Sequence, residues 1–492
     1  MIKSLARGVL IMHDVIILGA GVIGAFIARE LARYQLDVIV IDKENDVGNF
    51  TSMANSALIH SGYDPEPGSL KAKLNVRGNA MFDQVCQELD VIFRRIGSLT
   101  VTTNPDEINV LQELQERGRQ NGVETRILNQ REVHEIEPAL ADDVVYALFA
   151  PTAGIIDPFE LVVHLMENAI DHGVKLFLNE TITGISPIDG GYRVMTNGAK
   201  HAGKIIINAT GVNADLISEM VAPNDFVIKP RKGSYFVFDH FNDYFLKHII
   251  FPVPDKRGKG IVVTSSYSYN YLVGPNSNFI DERDDLGTDR DTLEYIKGQA
   301  VKLVPQLPFD KVIRTFSGLR ATPNTGDFII GPIANHPNFI NVAGIESPGL
   351  ASSPAIAEYV INEFISKRIT LVNKESFNPR IRPLYRFNRM SEQEINRLIK
   401  LKPEFGHLVC RCEMVSEGHI LDSLSRSCPP HSIKGVKKRT RAGFGRCQGG
   451  FCQPLVVALL AKQYRISEND VLYDSLETSI LKEETKGGSH HE

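Results

Sequence analysis

Asp14-Val15-Ile16-Ile17-Leu18-Gly19-Ala20-Gly21-Val22-Ile23-Gly24 is the stretch from which the fold is read. Asp14 to Leu18 is a short, almost unbroken apolar run, the pattern of a strand covered on both faces. Three glycines follow, then a helical pattern to about Tyr34, and a second apolar run from Asp37 to Ile41 that ends at Asp42. Strand, glycine turn, helix and strand in that order open a doubly wound α/β sheet.

The glycines have separate mechanical tasks. Gly19 permits the tight turn, Gly21 lets backbone approach a pyrophosphate, and Gly24 lets helix and strand pack closely. The helix N-terminus then faces the phosphates with its free amides and positive dipole end. Asp42 lies eighteen residues past Gly24, where a carboxylate accepts from a ribose 2′-hydroxyl and disfavours the extra phosphate of NADP. This fingerprint alone leaves FAD and NAD both open.

Outward from this unit, strand and helix patterns alternate. Leu99 to Thr103 reads as a strand, Glu107 to Gln120 and Phe159 to His172 as helices, and Lys204 to Ala209 as a buried strand whose Thr210-Gly211 ending returns the chain to the first sheet. Ser234 to Phe238, Gly260 to Thr264 and Tyr271 to Gly274 suggest a more antiparallel region. Phe339 to Gly344 and Pro354 to Ile365 read as a last strand and helix. The expected class is α/β, α+β overall: a Rossmann-like nucleotide domain interleaved with a mixed-sheet substrate domain across residues 12–370. Proline-spaced charged residues 371–405 read as a linker, 406–480 as a small cysteine-rich helical domain, and 481–492 as a disordered tail.

The 492-residue length suits about three domains at ~100 to 200 residues each. With 54 Lys+Arg against 59 Asp+Glu, the formal charge is −5, which offers no broad positive field for nucleic acid. No apolar run reaches the ~18 residues of a membrane-spanning helix, so the expectation is a chain peripheral to a membrane at most. Residues 1–11 read as a short presequence or an upstream start, with Met12 the alternative beginning.

Of six cysteines, only Cys86 lies in the first 400 residues; Cys410, Cys412, Cys428, Cys447 and Cys452 crowd together. That concentration signals a metal or cluster module in a reducing, cytoplasmic setting. Cys410 and Cys412 form a C-x-C pair, Cys447 and Cys452 a C-x4-C pair. Four thiolates suit a 2Fe-2S cluster or a tetrahedral zinc, and spacing does not choose between them. Cys428 reads as a bystander and Cys86 as core packing.

Ser52-Met53-Ala54-Asn55-Ser56-Ala57-Leu58-Ile59-His60-Ser61-Gly62 resembles the flavin-contacting loop of the D-amino-acid-oxidase-like FAD enzymes. Its continuation through Tyr63 to Asn75, with Arg231-Lys232-Gly233, Gly258 to Val263, Gly318-Leu319-Arg320, Asp327 to Ile330 and Ser347 to Ala351, is similar to glycerol-3-phosphate oxidases and dehydrogenases. L-2-hydroxyglutarate oxidases are close relatives of these. Lys438 to Cys452 resembles the bacterioferritin-associated-ferredoxin-like domain, in which cysteines hold a 2Fe-2S cluster.

These resemblances imply FAD as cofactor, bound by Gly19, Gly21, Gly24, Asp42, Asn55, Ser56, Gly211, Ser347, Gly349 and Leu350. His60 would be the base for the substrate hydroxyl, with Lys259 and Arg320 facing the substrate anion or its reacting hydroxyl. Cys410, Cys412, Cys447 and Cys452 would ligate the cluster, and the basic residues Lys437, Lys438, Arg439, Arg441 and Arg446 would suit its negative charge. The implied reaction is oxidation of a small anionic alcohol, sn-glycerol 3-phosphate, by hydride transfer to flavin, with electrons leaving through the cluster to a protein, a second flavoprotein subunit or a quinone. L-2-hydroxyglutarate or proline-type oxidation, and a mainly electron-transfer role in a larger complex, are the alternatives.

Overall fold

The computed structural model describes residues 11–240, 246–254 and 260–483. The expected presequence and most of the tail lie outside the described residues.

Strand Met12–Leu18 pairs in parallel with Val38–Ile41 on one side and Lys200–Asn208 on the other. Lys175–Phe177 extends the sheet beyond Val38–Ile41, and His336–Ala343 pairs in parallel with the end of Lys200–Asn208. The unbroken apolar run has a direct cause. Val15 and Ile17 point into a core shared with helices Val22–Leu31, Pro158–Asp171 and Gly349–Val360, whereas Ile16 and Leu18 point into a second core with Ile185, Tyr192 and Ile206. Both faces are covered, so neither parity of the strand is polar.

The second sheet is mixed. Its spine is the long antiparallel pair Ile228–Phe238 and Val312–Pro323, and Ile249–Pro252 joins Ser98–Thr102 in parallel. Segments of the two sheets alternate along the chain, as the sequence pattern suggests. Of the expected strand from Gly260 to Thr264, only Val263–Ser265 forms ladder pairs, with Tyr271–Val273 and at one position with Ile249–Pro252.

The last helix of the first region starts earlier than its sequence suggests. It spans Gly349–Val360, with Pro354 in its interior and a wider π turn over Ile361–Ile365. A proline there deprives the Leu350 carbonyl of its helical donor. Ser353 Oγ donates to that carbonyl at 2.7 Å, which lets the helix continue past the proline.

The C-terminal module folds around its own small core, in which Val409, Ile420, Val436, Val456 and Leu460 meet. Its helices are Glu417–Leu424, Ile433–Thr440 and Gln453–Tyr464, beside a two-stranded ladder of Leu408–Cys410 and Val415–Ser416. It docks on the first region through buried charge. Arg426 meets Glu167 at 2.8 Å, and Lys438 and Arg439 both meet Asp46. The segment leading into it is tied down as well, with Arg386 bonded to Glu160 at 2.9 Å.

Candidate functional site

A cavity of about 1190 Å³ runs between the two sheets. At one end it is floored by the glycine turn. Gly19 has φ +103°, and a Cβ there would sit 2.5 Å from the Ala209 carbonyl; a Cβ on Gly24 would fall 1.9 Å from the Gly19 carbonyl. The chain can therefore make this turn only with glycine at both positions. Gly21, Val22 and Ile23 at the start of the helix face the cavity. Ser52 Oγ accepts from the Val22 amide at 2.8 Å, a contact that sequence reading did not single out although Ser52 opens the quoted motif.

Asp42 stands at the end of Val38–Ile41 on the cavity wall, with one carboxylate oxygen held by the Ala20 amide at 2.5 Å and the other by the Glu44 amide at 2.9 Å. Burial raises its pKa above the ordinary aspartate value against those bonds. Each oxygen keeps a second lone pair for a ribose hydroxyl. A cradle closed by glycines, a helix N-terminus and a carboxylate at the strand end together fit the adenosine diphosphate half of FAD.

Further along, the cavity is walled by Asn55, Ser56, His60, Gly211, Ser347, Gly349 and Leu350. Asn55 is occupied with its own loop: its amide donates to the Ser52 carbonyl at 2.8 Å, and its Oδ1 accepts from Ala57 at 2.7 Å. Its contribution is loop shape. Ser56 Oγ meets Tyr235 Oη at 3.2 Å, and the Tyr235 ring stacks on Phe316 with centroids 4.5 Å apart. Tyr235 belongs to the site and carried no sequence motif of its own.

His60 follows the short strand Leu58–Ile59, and its carbonyl is gripped by Asn75 and Asn79, at 2.8 and 3.0 Å. Its ring Nε2 lies 3.4 Å from Ser347 Oγ, and its ring neighbours Phe251. The carbonyl grip fixes the backbone while the imidazole stays at the cavity wall.

Arg320 opposes it from the strand Val312–Pro323. Its guanidinium donates to the carbonyls of Arg231 (3.2 Å), Lys232 (3.3 Å) and Asn276 (2.6 Å). Among the described residues no carboxylate pairs with it, so the internal salt bridge that would have made it structural is not what holds it. Burial pulls its pKa down to about 10. A buried cation hydrogen-bonded to carbonyls, with Glu346 acting on it from a distance, has the chemistry to receive a ligand anion. Its neighbour Arg231 is by contrast neutralised by Glu346, which also takes Lys71 at 2.8 Å. Lys259 lies outside the described residues.

The four thiols come as two pairs. Cys412 and Cys447 have their sulfurs 3.8 Å apart at the surface. Cys410 and Cys452 are buried and hydrogen-bonded to each other, which lowers the Cys410 thiol to about 6 and pushes Cys452 up. Backbone groups of Gly443 and Glu413 bond to Cys410, and those of Gly449 and Phe451 to Cys447. Among the described residues no three His, Cys, Asp or Glu groups converge in the geometry of a single ion. Four thiols in two pairs, lined by amides, fit the donor set that a two-iron cluster would need.

The basic run divides. Lys438 and Arg439 meet Asp46 and Arg446 meets Asp239, carboxylates far away in sequence, whereas Arg441 meets Glu413, next to Cys412, and Lys437 lies over the Phe444 ring within electrostatic reach of Cys452. Cys428 is buried against Arg439, and Cys86 sits in the main core.

Comparison with known proteins agrees with this geometry. Residues 14–363 match the family described as FAD dependent oxidoreductase, and residues 408–462 match the BFD-like [2Fe-2S] binding domain. The chain is 45% identical over 478 residues to a glycerol 3-phosphate dehydrogenase of Caloramator mitchellensis, covering 96% of this chain and 99% of that one. It is 35% identical to a glycerol 3-phosphate oxidase of Mycoplasma genitalium, over 74% of this chain and 97% of that one. Among solved structures, the dithionite-reduced L-alpha-glycerophosphate oxidase of Mycoplasma pneumoniae with FAD bound superposes with a TM-score of 0.73 at 30% identity, covering 77% of this chain and all of that one.

Proposed function

The chain belongs to the FAD-dependent oxidoreductase family and carries a BFD-like [2Fe-2S] domain, and from that premise we propose that it oxidises sn-glycerol 3-phosphate to dihydroxyacetone phosphate. The observation that carries the reading is that one cavity is lined by both His60, a candidate base, and Arg320, a buried cation that makes no salt bridge among the described residues. Full-length similarity to a named glycerol 3-phosphate dehydrogenase supports the same substrate.

Bound FAD supplies a hydride acceptor, and a cluster supplies a one-electron carrier. The protein residues do the rest. Arg320 holds phosphate oxygens through Nη1, and it is preorganised because three carbonyls occupy Nε and Nη2 and fix the guanidinium plane before substrate arrives. His60 takes the hydroxyl proton at its ring nitrogen as the substrate C–H bond breaks; an imidazole titrates in the range this task requires. Gly19, Gly21, Gly24 and Asp42 hold the dinucleotide, and Ser347, Gly349 and Leu350 close the cavity opposite Asn55 and Ser56. Cys410, Cys412, Cys447 and Cys452 hold the cluster. A chain built for both two-electron and one-electron carriers suits an acceptor that takes electrons singly, a protein or a quinone.

The test is flavin bleaching under argon with glycerol 3-phosphate, L-2-hydroxyglutarate and proline offered separately. Rapid loss of flavin absorbance with glycerol 3-phosphate alone is expected. Bleaching by one of the other two, with glycerol 3-phosphate inert, would overturn the assignment.

A further inference from the structure

The loop that carries the ribose carboxylate is held from outside by the C-terminal module. It begins at Asp42 and ends at Ser52, and both residues line the dinucleotide cavity. Between them, Asp46 is only 3% exposed. Lys438 Nζ lies 2.7 Å from its carboxylate, and the Arg439 guanidinium grips both oxygens at 2.8 and 2.9 Å. Lys438 also donates to the Val47 carbonyl at 2.9 Å and to Asn49 Oδ1 at 2.8 Å, and Asn49 is itself a cavity residue.

We infer that Lys438 and Arg439 are positioning residues for the flavin, acting through Asp46 so that tight retention of FAD requires the C-terminal module to be docked. A carboxylate this deeply buried cannot stay in place without its cations, because the cost of leaving the charge unpaired exceeds what the loop's few internal bonds supply. Inside the loop those bonds are Glu44 to Asp42, Val47 to Asp46 and Asn49 to Asn45, while Phe177, Glu180 and Leu319 tie down its two ends and Asp474 of the same module holds Asn45 and Asn49. When the module withdraws, the middle of the stretch loses the bonds to Asp46, Val47, Asn45 and Asn49, and the cofactor-facing Asn49 loses its outer support.

The same helix also faces the thiols. Ile433–Thr440 continues through Arg441, in the left-handed conformation, to Gly443, whose backbone bonds to Cys410. One helix therefore braces the flavin loop along its side and the thiol loop at its end. The inference rests on the FAD assignment alone and is indifferent to which alcohol is oxidised.

The experiment measures FAD release from the purified holoenzyme, followed as the rise of free-flavin fluorescence after dilution into an excess of an apoflavoprotein scavenger. Lys438→Met combined with Arg439→Met leaves the Asp46 carboxylate without either cation and is expected to release FAD at least tenfold faster than the unaltered protein, with Lys438→Met alone, in which Arg439 still grips Asp46, in between. Lys438→Arg, which keeps a cation at the loop, is expected to retain FAD nearly as well as the unaltered protein. Arg426→Met breaks a different buried ion pair of the same interface, one that contacts no residue of the Asp42–Ser52 loop, and is expected to lower thermal stability while leaving FAD release unchanged. Unaltered release in the Lys438→Met, Arg439→Met double variant, or equal acceleration by Arg426→Met, would overturn the inference and reduce the contact to ordinary domain adhesion.

Discussion

Arg320 and Asn276 meet through a guanidinium nitrogen and a backbone carbonyl 2.6 Å apart, and this bond fixes at the cavity wall a buried cation that makes no salt bridge among the described residues. A charge-assisted hydrogen bond to a ligand anion contributes about 1.5 to 3 kcal/mol. Arg320→Ala should therefore raise KM for glycerol 3-phosphate by roughly 10- to 100-fold, with a smaller change in kcat. Gly233→Ala should mimic it without removing any charge, since a Cβ there would fall 2.8 Å from the Arg320 guanidinium and 2.5 Å from Pro275. Steady-state kinetics of both variants checks the point, and an unchanged KM in Arg320→Ala would take the anion away from this residue.

His60→Ala should act on the rate and leave binding nearly intact. Losing a general base costs ~100- to 10,000-fold. Anaerobic stopped-flow reduction of the flavin isolates that step from any later transfer. A wild-type reduction rate would remove His60 from proton transfer and leave its 3.4 Å approach to Ser347 as packing.

Stability should fall on the acid side of neutrality through a buried imidazole far from the cavity. Burial drives the His164 pKa down to about 4, and its Nδ1 donates to the Leu89 carbonyl at 2.7 Å. The folded state keeps this ring neutral while the unfolded chain binds a proton below about pH 6.5, so the unfolded state gains as pH falls. The stability present above pH 6.5 is progressively lost toward pH 4, by about 3 kcal/mol as an upper bound. His164→Gln preserves a donor for Leu89 without the titration. Its urea midpoint should vary less between pH 7 and pH 4.5 than that of the unaltered protein.

What the sequence made legible follows from how local each cause is. The first strand, glycine turn and helix are encoded within a few dozen residues, and two cores on opposite faces of one strand leave an unmistakable apolar run. The start of the Gly349–Val360 helix was hidden because Pro354 reads as a boundary; its rescue by the Ser353 hydroxyl depends on a rotamer that no pattern reveals. Asn55 was legible as a site residue but not in its task, since its amide turns back on its own loop. Part of the basic run shows the limit most clearly. Lys438 and Arg439 sit beside the thiols in sequence, yet their carboxylate, Asp46, comes from the other end of the chain, and only the tertiary fold brings it there.

The thiol pairs should separate the two halves of the reaction. Cys412 and Cys447 lie at the surface with sulfurs 3.8 Å apart, while Cys410 and Cys452 are buried beneath. Cys412→Ser replaces one thiolate by a poor iron ligand, so the visible absorption and the electron paramagnetic signal of a 2Fe-2S cluster should vanish. The cavity containing His60 and Arg320 contains none of these residues, so glycerol 3-phosphate should still bleach the flavin in that variant at close to the normal rate. Turnover with a one-electron acceptor should collapse, because reduced flavin then lacks a carrier to pass single electrons onward. Cys428→Ser should leave both signals intact, since that sulfur is packed against Arg439 and away from either pair. Stoichiometric zinc in place of iron after anaerobic purification, or full acceptor-linked turnover in Cys412→Ser, would show that the module braces the protein and carries no electrons.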